Sequence, residues 1–342
     1  MIFGRPRILA NHVSTSESFV QFIKRKNPWT RRGLAIRGSL AILIVVGAVL
    51  TNRSFLGWGL FTVFAVLMVP TGRIRSFLFS FGPYAAVWFI FTAARSISDE
   101  TPLARSLNLY APDFERELFR GQLPTVTLQD RFFDPSHLHW YDYFCTGVHW
   151  SYFIVPHAIA IYLWYKRPEL FRRFLGAMIL LLGMGLAIYF LIPSNPPWLA
   201  PEPINSPSAP VIYRVMESIG KQIGGGLYAA SYKVIGESNP RAAMPSIHMA
   251  ITFLLVFPSF RLSRKFGMFM LVYAACMGYS LIYLGEHYFI DVTAGCMIAA
   301  YGWYGFPRLS ELIQVARSPG ERPVLTPAPP PHEGAVATPA SA

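Results

Sequence analysis

Apolar residues in this chain come in long blocks rather than in alternating or amphipathic patterns. The blocks are Leu34–Thr51, Phe55–Pro70, Phe77–Thr92, Trp150–Tyr165, Phe174–Pro193, Ile247–Phe260, Phe266–Leu284 and Phe289–Phe306. Several approach the roughly 20 residues that an α-helix needs to cross about 30 Å of hydrocarbon, and neutral flanking residues can lengthen the shorter ones. Polar residues collect between the blocks. The pattern predicts an all-α polytopic membrane protein with about eight transmembrane helices. A soluble fold with greasy core helices is the competing reading, but it would leave too little polar surface to cover eight such blocks.

Composition sharpens this. Of 342 residues, 53% are hydrophobic and 14% charged, against roughly 25% charged in a soluble domain. The formal net charge of +12 would suggest nucleic acid, but its placement says otherwise. Lys24, Arg25, Lys26, Arg31, Arg32 and Arg37 precede the first block, and Arg73 and Arg75 separate the second from the third. Lys166, Arg167, Arg172 and Arg173 lie between the fourth and fifth, and Arg261, Arg264 and Lys265 between the sixth and seventh. Every second short connection is basic and the alternate ones are long or nearly neutral, the positive-inside signature. The charge is topological, and no nucleic-acid partner is expected. Both termini are expected in the cytoplasm, with the long stretches 94–149 and 194–246 on the far side.

Three regions follow. Residues 1–33 read as a basic cytoplasmic arm, with a short interfacial helix around Glu17–Lys26. Residues 34–310 hold the membrane domain. Residues 311–342 form a tail that is Pro/Ala-rich from Ser318 onward, cannot build a core, and is expected to be disordered. Residues 1–33 lack the apolar core of a cleavable signal peptide, so the first span is expected to serve as the targeting signal. Cys145, Cys276 and Cys296 show no metal-ligand spacing with histidines and read as small packed hydrophobes.

Chemistry concentrates where two spans open onto the far side. Ser246 and His248 start the sixth block; the seventh returns to that side near Gly285, and His287 and Asp291 open the eighth. Both histidines therefore arrive on one side at similar depth. His287 and Asp291 are four apart, so on a helix they share a face. The carboxylate can then accept the imidazole N–H, fix its tautomer and raise its basicity. His248 becomes the opposing acid, a pairing that suits displacement at phosphorus. Ser246 and the free N–H groups of a helix start can cradle phosphate, and Arg241 can clamp it. Taken singly, a histidine at a helix end is ordinary and Pro245-Ser246 is an ordinary helix start. Asp291 is not ordinary: an ionisable side chain within a span costs about 2.5–3.5 kcal/mol and marks a functional site by default.

PSIH at 245–248, followed 39 residues after His248 by HYFID, resembles the second and third motifs (P-S-G-H and S-R-x5-H-x3-D) of the type 2 phosphatidic acid phosphatase superfamily. It is most similar to the inositol phosphorylceramide synthase and sphingomyelin synthase branch, which carries H-Y-x-x-D and lacks the arginine of the third motif; Leu281 stands at that place here. SNPPW (194–198) resembles that branch's A-P-P-W, and Leu123–Pro156, with its Leu-Gln, Asp142 and His149, resembles the segment ahead of its fourth span. The resemblance implies a helical-bundle lipid phosphotransferase working without metal or other cofactor. His287 would be the nucleophile forming a phosphohistidine, Asp291 its orienting partner, His248 the acid, and Ser246 a phosphate ligand. His149, Asn195 and Trp198 would be further substrate-binding positions. The K-x6-R-P motif of the phosphatases has no match, so Arg241, Lys233 or other loop residues must meet the phosphate charge; Ile247 replaces the glycine of P-S-G-H.

Expected partners are thus phospholipids or lipid phosphates and the bilayer itself, with the cell membrane as location and the site extracytoplasmic. A lipid phosphate or polyprenyl-diphosphate phosphatase using water, an inactive lipid-binding scaffold, and a channel or transporter are the competing functions. The last predicts charge deep within several spans, whereas Asp291 is almost alone. Nothing in the sequence bears on oligomeric state.

Overall fold

A computed structural model describes residues 74–98, 110–199, 211–222 and 242–317, with positions 39 and 101 in isolation. The first two apolar blocks, the arm at 1–33 with its expected interfacial helix, Lys233, Arg241 and the tail from 318 lie outside the described residues. Every described element is helical: α1 (Ile74–Ser98), α2 (Tyr110–Leu118), α3 (Pro124–Phe132), α4 (Trp140–Ser151), α5 (Val155–Lys166), α6 (Pro168–Leu191), α7 (Ile247–Leu254), α8 (Val256–Leu262), α9 (Arg264–Tyr283) and α10 (Phe289–Arg317). A further helical stretch covers 215–222.

Prolines and hydroxyls set the boundaries. Pro124, Pro156 and Pro168 occupy first-turn positions of α3, α5 and α6, where a missing N–H costs nothing. Ser246 and Ser263 cap α7 and α9, their hydroxyls accepting the N–H of Met249 and Phe266 at 3.3 and 3.1 Å. Two expected spans are broken by proline. The run 150–165 is divided at 152–154, because Pro156 cannot donate to the carbonyl four residues back, and the run 247–260 kinks at Leu255 because Pro258 withdraws from Leu254. Pro307 within α10 likewise frees the Trp303 carbonyl, and the Arg173 guanidinium donates to it at 3.2 Å while lying over the Trp303 ring. The last helix runs on to Arg317, past the boundary at 310 drawn from the apolar pattern.

α7 is the central element. It packs against α6, α9 and α10; α6 in turn packs on α1, α5 and α10, and α9 packs on α3, α4 and α8. Ala250, Ile251, Leu254, Leu181, Met277 and Ala299 are fully buried in the main core. The outer faces remain apolar: Phe269, Val272, Met297, Tyr301, Phe79 and Ile90 are exposed, a surface suited to lipid rather than water. Among the described residues, two helices, Pro168–Leu191 and Arg264–Tyr283, are long and apolar enough to cross a bilayer, with Ile247–Leu262 a shorter apolar helix. The described residues thus bear out an all-helical fold with membrane-length helices, and they do not extend to a count of eight. Cys145, Cys276 and Cys296 are all unpaired.

Candidate active site

The N-terminal ends of α7 and α10 meet. The Ser246 N–H donates to the Asp291 carbonyl at 3.0 Å, which locks the two starts in register. Gly295 permits the approach: a Cβ there would stand 2.5 Å from the Ser246 carbonyl oxygen and 3.2 Å from the Ala250 nitrogen. His248, one residue into α7, faces His287 with ring centroids 5.8 Å apart. Its other neighbours are Tyr152 at 4.4 Å and His149 at 4.7 Å, so three imidazoles stand in a row.

His287 is not on a helix. α10 begins at Phe289, and His287 lies in the turn before it, its N–H donating to the Leu281 carbonyl at 3.1 Å. The expectation that His287 and Asp291 share a helical face is therefore corrected, although the two still meet. His287 Nδ1 stands 3.5 Å from Asp291 Oδ2, an ion-pair distance without hydrogen-bond geometry. That same Oδ2 accepts the Tyr288 N–H at 2.9 Å, so Asp291 closes the first turn of α10 as well as facing the imidazole. Asp291 is wholly buried and its Oδ1 has no hydrogen-bond partner. The turn depends on Gly285, whose φ of +80° suits glycine and where a Cβ would lie 2.7 Å from the Tyr213 carbonyl oxygen.

His149, the last site histidine, sits on α4 at 3% exposure with both ring nitrogens unpartnered. Burial holds its imidazole down at about 4, well under the ordinary histidine range; Glu286 opposes that shift, while His287 and Arg214 add to it. Asp142, by contrast, is consumed structurally. It accepts the His139 N–H at 2.7 Å in a capping box and the hydroxyl of Tyr283 on its other oxygen. Gln129 is equally committed, donating to the Tyr213 and Tyr283 carbonyls at 2.9 and 2.8 Å and accepting the Tyr213 N–H at 2.8 Å.

The SNPPW stretch is brought to the site. Ser194 forms a bridge with Ala242, and the Ala243 N–H donates to the Ser194 carbonyl at 3.0 Å. Asn195 is buried beside this bridge, and the Trp198 N–H donates to the Gly285 carbonyl at 3.2 Å. Arg214 was not foreseen from the sequence. It pairs with Glu286 through Nε at 2.8 Å and a second nitrogen at 3.3 Å, and its guanidinium lies 4.3 Å over the Trp198 ring. Arg95, near the end of α1, lies 5.7 Å from the Tyr189 ring. Neither arginine has a local sequence signal, because Glu286 lies 72 residues from Arg214 and Tyr189 lies 94 residues from Arg95. Among the described residues, no group of three or more His, Cys, Asp or Glu is placed to hold a metal ion.

Paired imidazoles, a carboxylate behind one of them and a capped helix start thus meet at one end of the helix bundle. The PAP2 superfamily model matches residues 135–305, half of the chain, and the chain belongs to that superfamily of membrane lipid phosphatases and phosphotransferases. Within it, the chain is 30% identical over 162 residues to the phosphoinositol dihydroceramide synthase of Bacteroides thetaiotaomicron. That alignment covers 44% of this chain and 51% of the relative, so the chain spans about half the length of the curated relative it matches. No solved structure matches the chain.

Proposed function

We propose that this protein is a lipid phosphotransferase that moves a phospho-headgroup from one lipid to the hydroxyl of another through a phosphohistidine. The observation that carries the reading is the meeting of His248 and His287, ring centroids 5.8 Å apart, with Asp291 behind His287 and the α7 start beside both. In the tautomer with Nδ1–H toward Asp291, His287 Nε2 holds a lone pair. It attacks phosphorus; the bond to the leaving oxygen breaks with its electron pair, and His248 supplies the proton that makes an alcohol. The acceptor hydroxyl then loses its proton to His248 and attacks phosphorus. The P–N bond breaks and its electron pair returns to His287. Asp291 stabilises the imidazolium character of the intermediate.

Phosphate oxygens sit at the start of α7, against the Ser246 hydroxyl and the first N–H groups, which have no helical carbonyl behind them. Arg95 and Arg214 supply the positive charge that the missing K-x6-R-P motif leaves open, and Arg241, outside the described residues, is a third source. Asn195 and Trp198 line the same region, and His149 presents a neutral imidazole to substrate hydroxyls. The name of the relative supports a phosphoinositol-type headgroup and a ceramide-like acceptor. The charge pattern supports a site on the extracytoplasmic face of the cell membrane, with both termini inside.

The test uses purified protein in sealed vesicles with headgroup-labelled phosphatidylinositol and ceramide supplied to the outer leaflet. Labelled product lipid should form, with little free headgroup phosphate released. His287→Asn and His248→Asn should each lower turnover at least about a hundredfold, the typical worth of a positioned proton-transfer group or nucleophile. Release of water-soluble phosphate in place of new lipid makes the enzyme a phosphatase. Full turnover in the His287 variant ends the phosphohistidine mechanism.

A further inference from the structure

α2 carries three acidic residues, and they are not equivalent. Asp113 and Glu117 are exposed, whereas Glu115 is wholly buried. Its Oε1 accepts the Ile290 N–H at 3.1 Å, and its Oε2 has no hydrogen-bond partner. The first turn of α10 is thereby held from two sides: Asp291 takes the Tyr288 N–H from within the helix, and Glu115 takes the Ile290 N–H from another element 175 residues away. His287 immediately precedes this turn, and the Asp291 carboxylate that faces it belongs to it.

Two carboxyls at one helix start satisfy its N–H groups and its positive dipole end. A buried carboxyl that faces a second one is also a group that resists ionisation. We propose that Glu115 is a positioning residue of the transfer site: it clamps the first turn of α10 from outside and so holds Asp291 against His287, and its own charge state tunes the site. The inference rests on the phosphohistidine reading above. Burial pushes the Glu115 carboxyl up to about 7, the Ile290 N–H opposes this, and the charge on Asp291 adds to it. Among the described residues, Asp291 and Tyr288 interact with it from the α10 side; Tyr288 also interacts with Asp113 and Arg116 of α2, and Tyr110 of α2 with Asp291. Below about pH 7 Glu115 is neutral and Asp291 alone backs His287. Above it, a second negative charge lies near the incoming phosphate, and turnover falls.

The experiment measures kcat and KM from about pH 5.5 to about 9, spanning the Glu115 transition, for full-length parent, Glu115→Gln, Glu115→Ala and the His287→Asn control. Glu115→Gln keeps an acceptor for Ile290 but cannot ionise. It should work within about threefold of parent at low pH and lose the alkaline fall centred near 7. Glu115→Ala removes the clamp and should lower kcat about tenfold or more at every pH, with KM little changed. A parental pH profile in Glu115→Gln overturns the proposal, as does parental kcat in Glu115→Ala; should the alanine variant not fold, the glutamine profile decides. A purely structural role would leave that profile unmoved. Turnover surviving in His287→Asn signals instead that the transfer mechanism itself has failed.

Discussion

Two helices begin side by side at this site and treat their first turns in opposite ways. α10 is filled with acid: Asp291 and Glu115, both wholly buried, take the N–H groups of Tyr288 and Ile290. α7 starts on a neutral hydroxyl, Ser246, which takes only the Met249 N–H. The same backbone dipole is thus used twice. In the proposed mechanism an acid-filled start repels phosphate, while the Asp291 carboxylate stabilises the imidazolium that His287 would become. An uncharged start keeps its positive end available to an anion. On the proposal above, the difference gives the nucleophile to one helix start and the phosphate to the other.

The most direct way to break the comparison is to make the two starts alike. Ser246→Asp keeps a good N-cap but places a carboxylate where phosphate should sit. Turnover should fall about a hundredfold or more, while thermal unfolding of the purified variant stays near parental; parental activity would show that phosphate does not bind there. A second way is to push the helices apart. Gly295→Ala sets a methyl 2.5 Å from the Ser246 carbonyl oxygen, where backbone must yield, and should destabilise by about 1–3 kcal/mol. A lowered melting temperature with a parallel loss of kcat checks it, and an unchanged melting temperature would mean the contact is softer than it looks.

A third test concerns His149, behind His248. Its folded pKa of about 4 lies below the unfolded value of 6.5, so between those limits the unfolded chain binds more protons. Stability is therefore full above about pH 6.5 and is lost as pH falls through 4, by roughly 3 kcal/mol from this one group. His149→Phe should flatten that part of the stability–pH curve, and an identical curve in the variant would show the imidazole is not buried neutral.

Much of this was legible in the chain. Ser246 as a cap and His248 just inside the helix follow from adjacent residues, and the prolines that divide two expected spans, Pro156 and Pro258, stand in plain view. The four-residue spacing of His287 and Asp291 foretold their contact, though by the wrong route, since the pair meets through a turn fixed by Gly285 rather than along a helical face. A buried acid on α2 could have been suspected from Glu115 sharing a face with Ala111 and Pro112, but its partner could not. Arg214 is a similar case: its bond to Glu286 crosses 72 residues.

By itself the sequence determined the helical, membrane-length character of the chain, the helix starts, and the residue types available for phosphoryl transfer. These are local properties: hydrophobic runs, caps and ring-locked prolines act over one or two turns. Only the tertiary structure decided which helix start holds carboxylates, which arginine reaches the site, and that Asp142 is spent on holding α4 while Asp291 faces a histidine. Those outcomes depend on which buried polar groups meet, because in a desolvated interior each charge must find a partner wherever the packing of distant helices provides one.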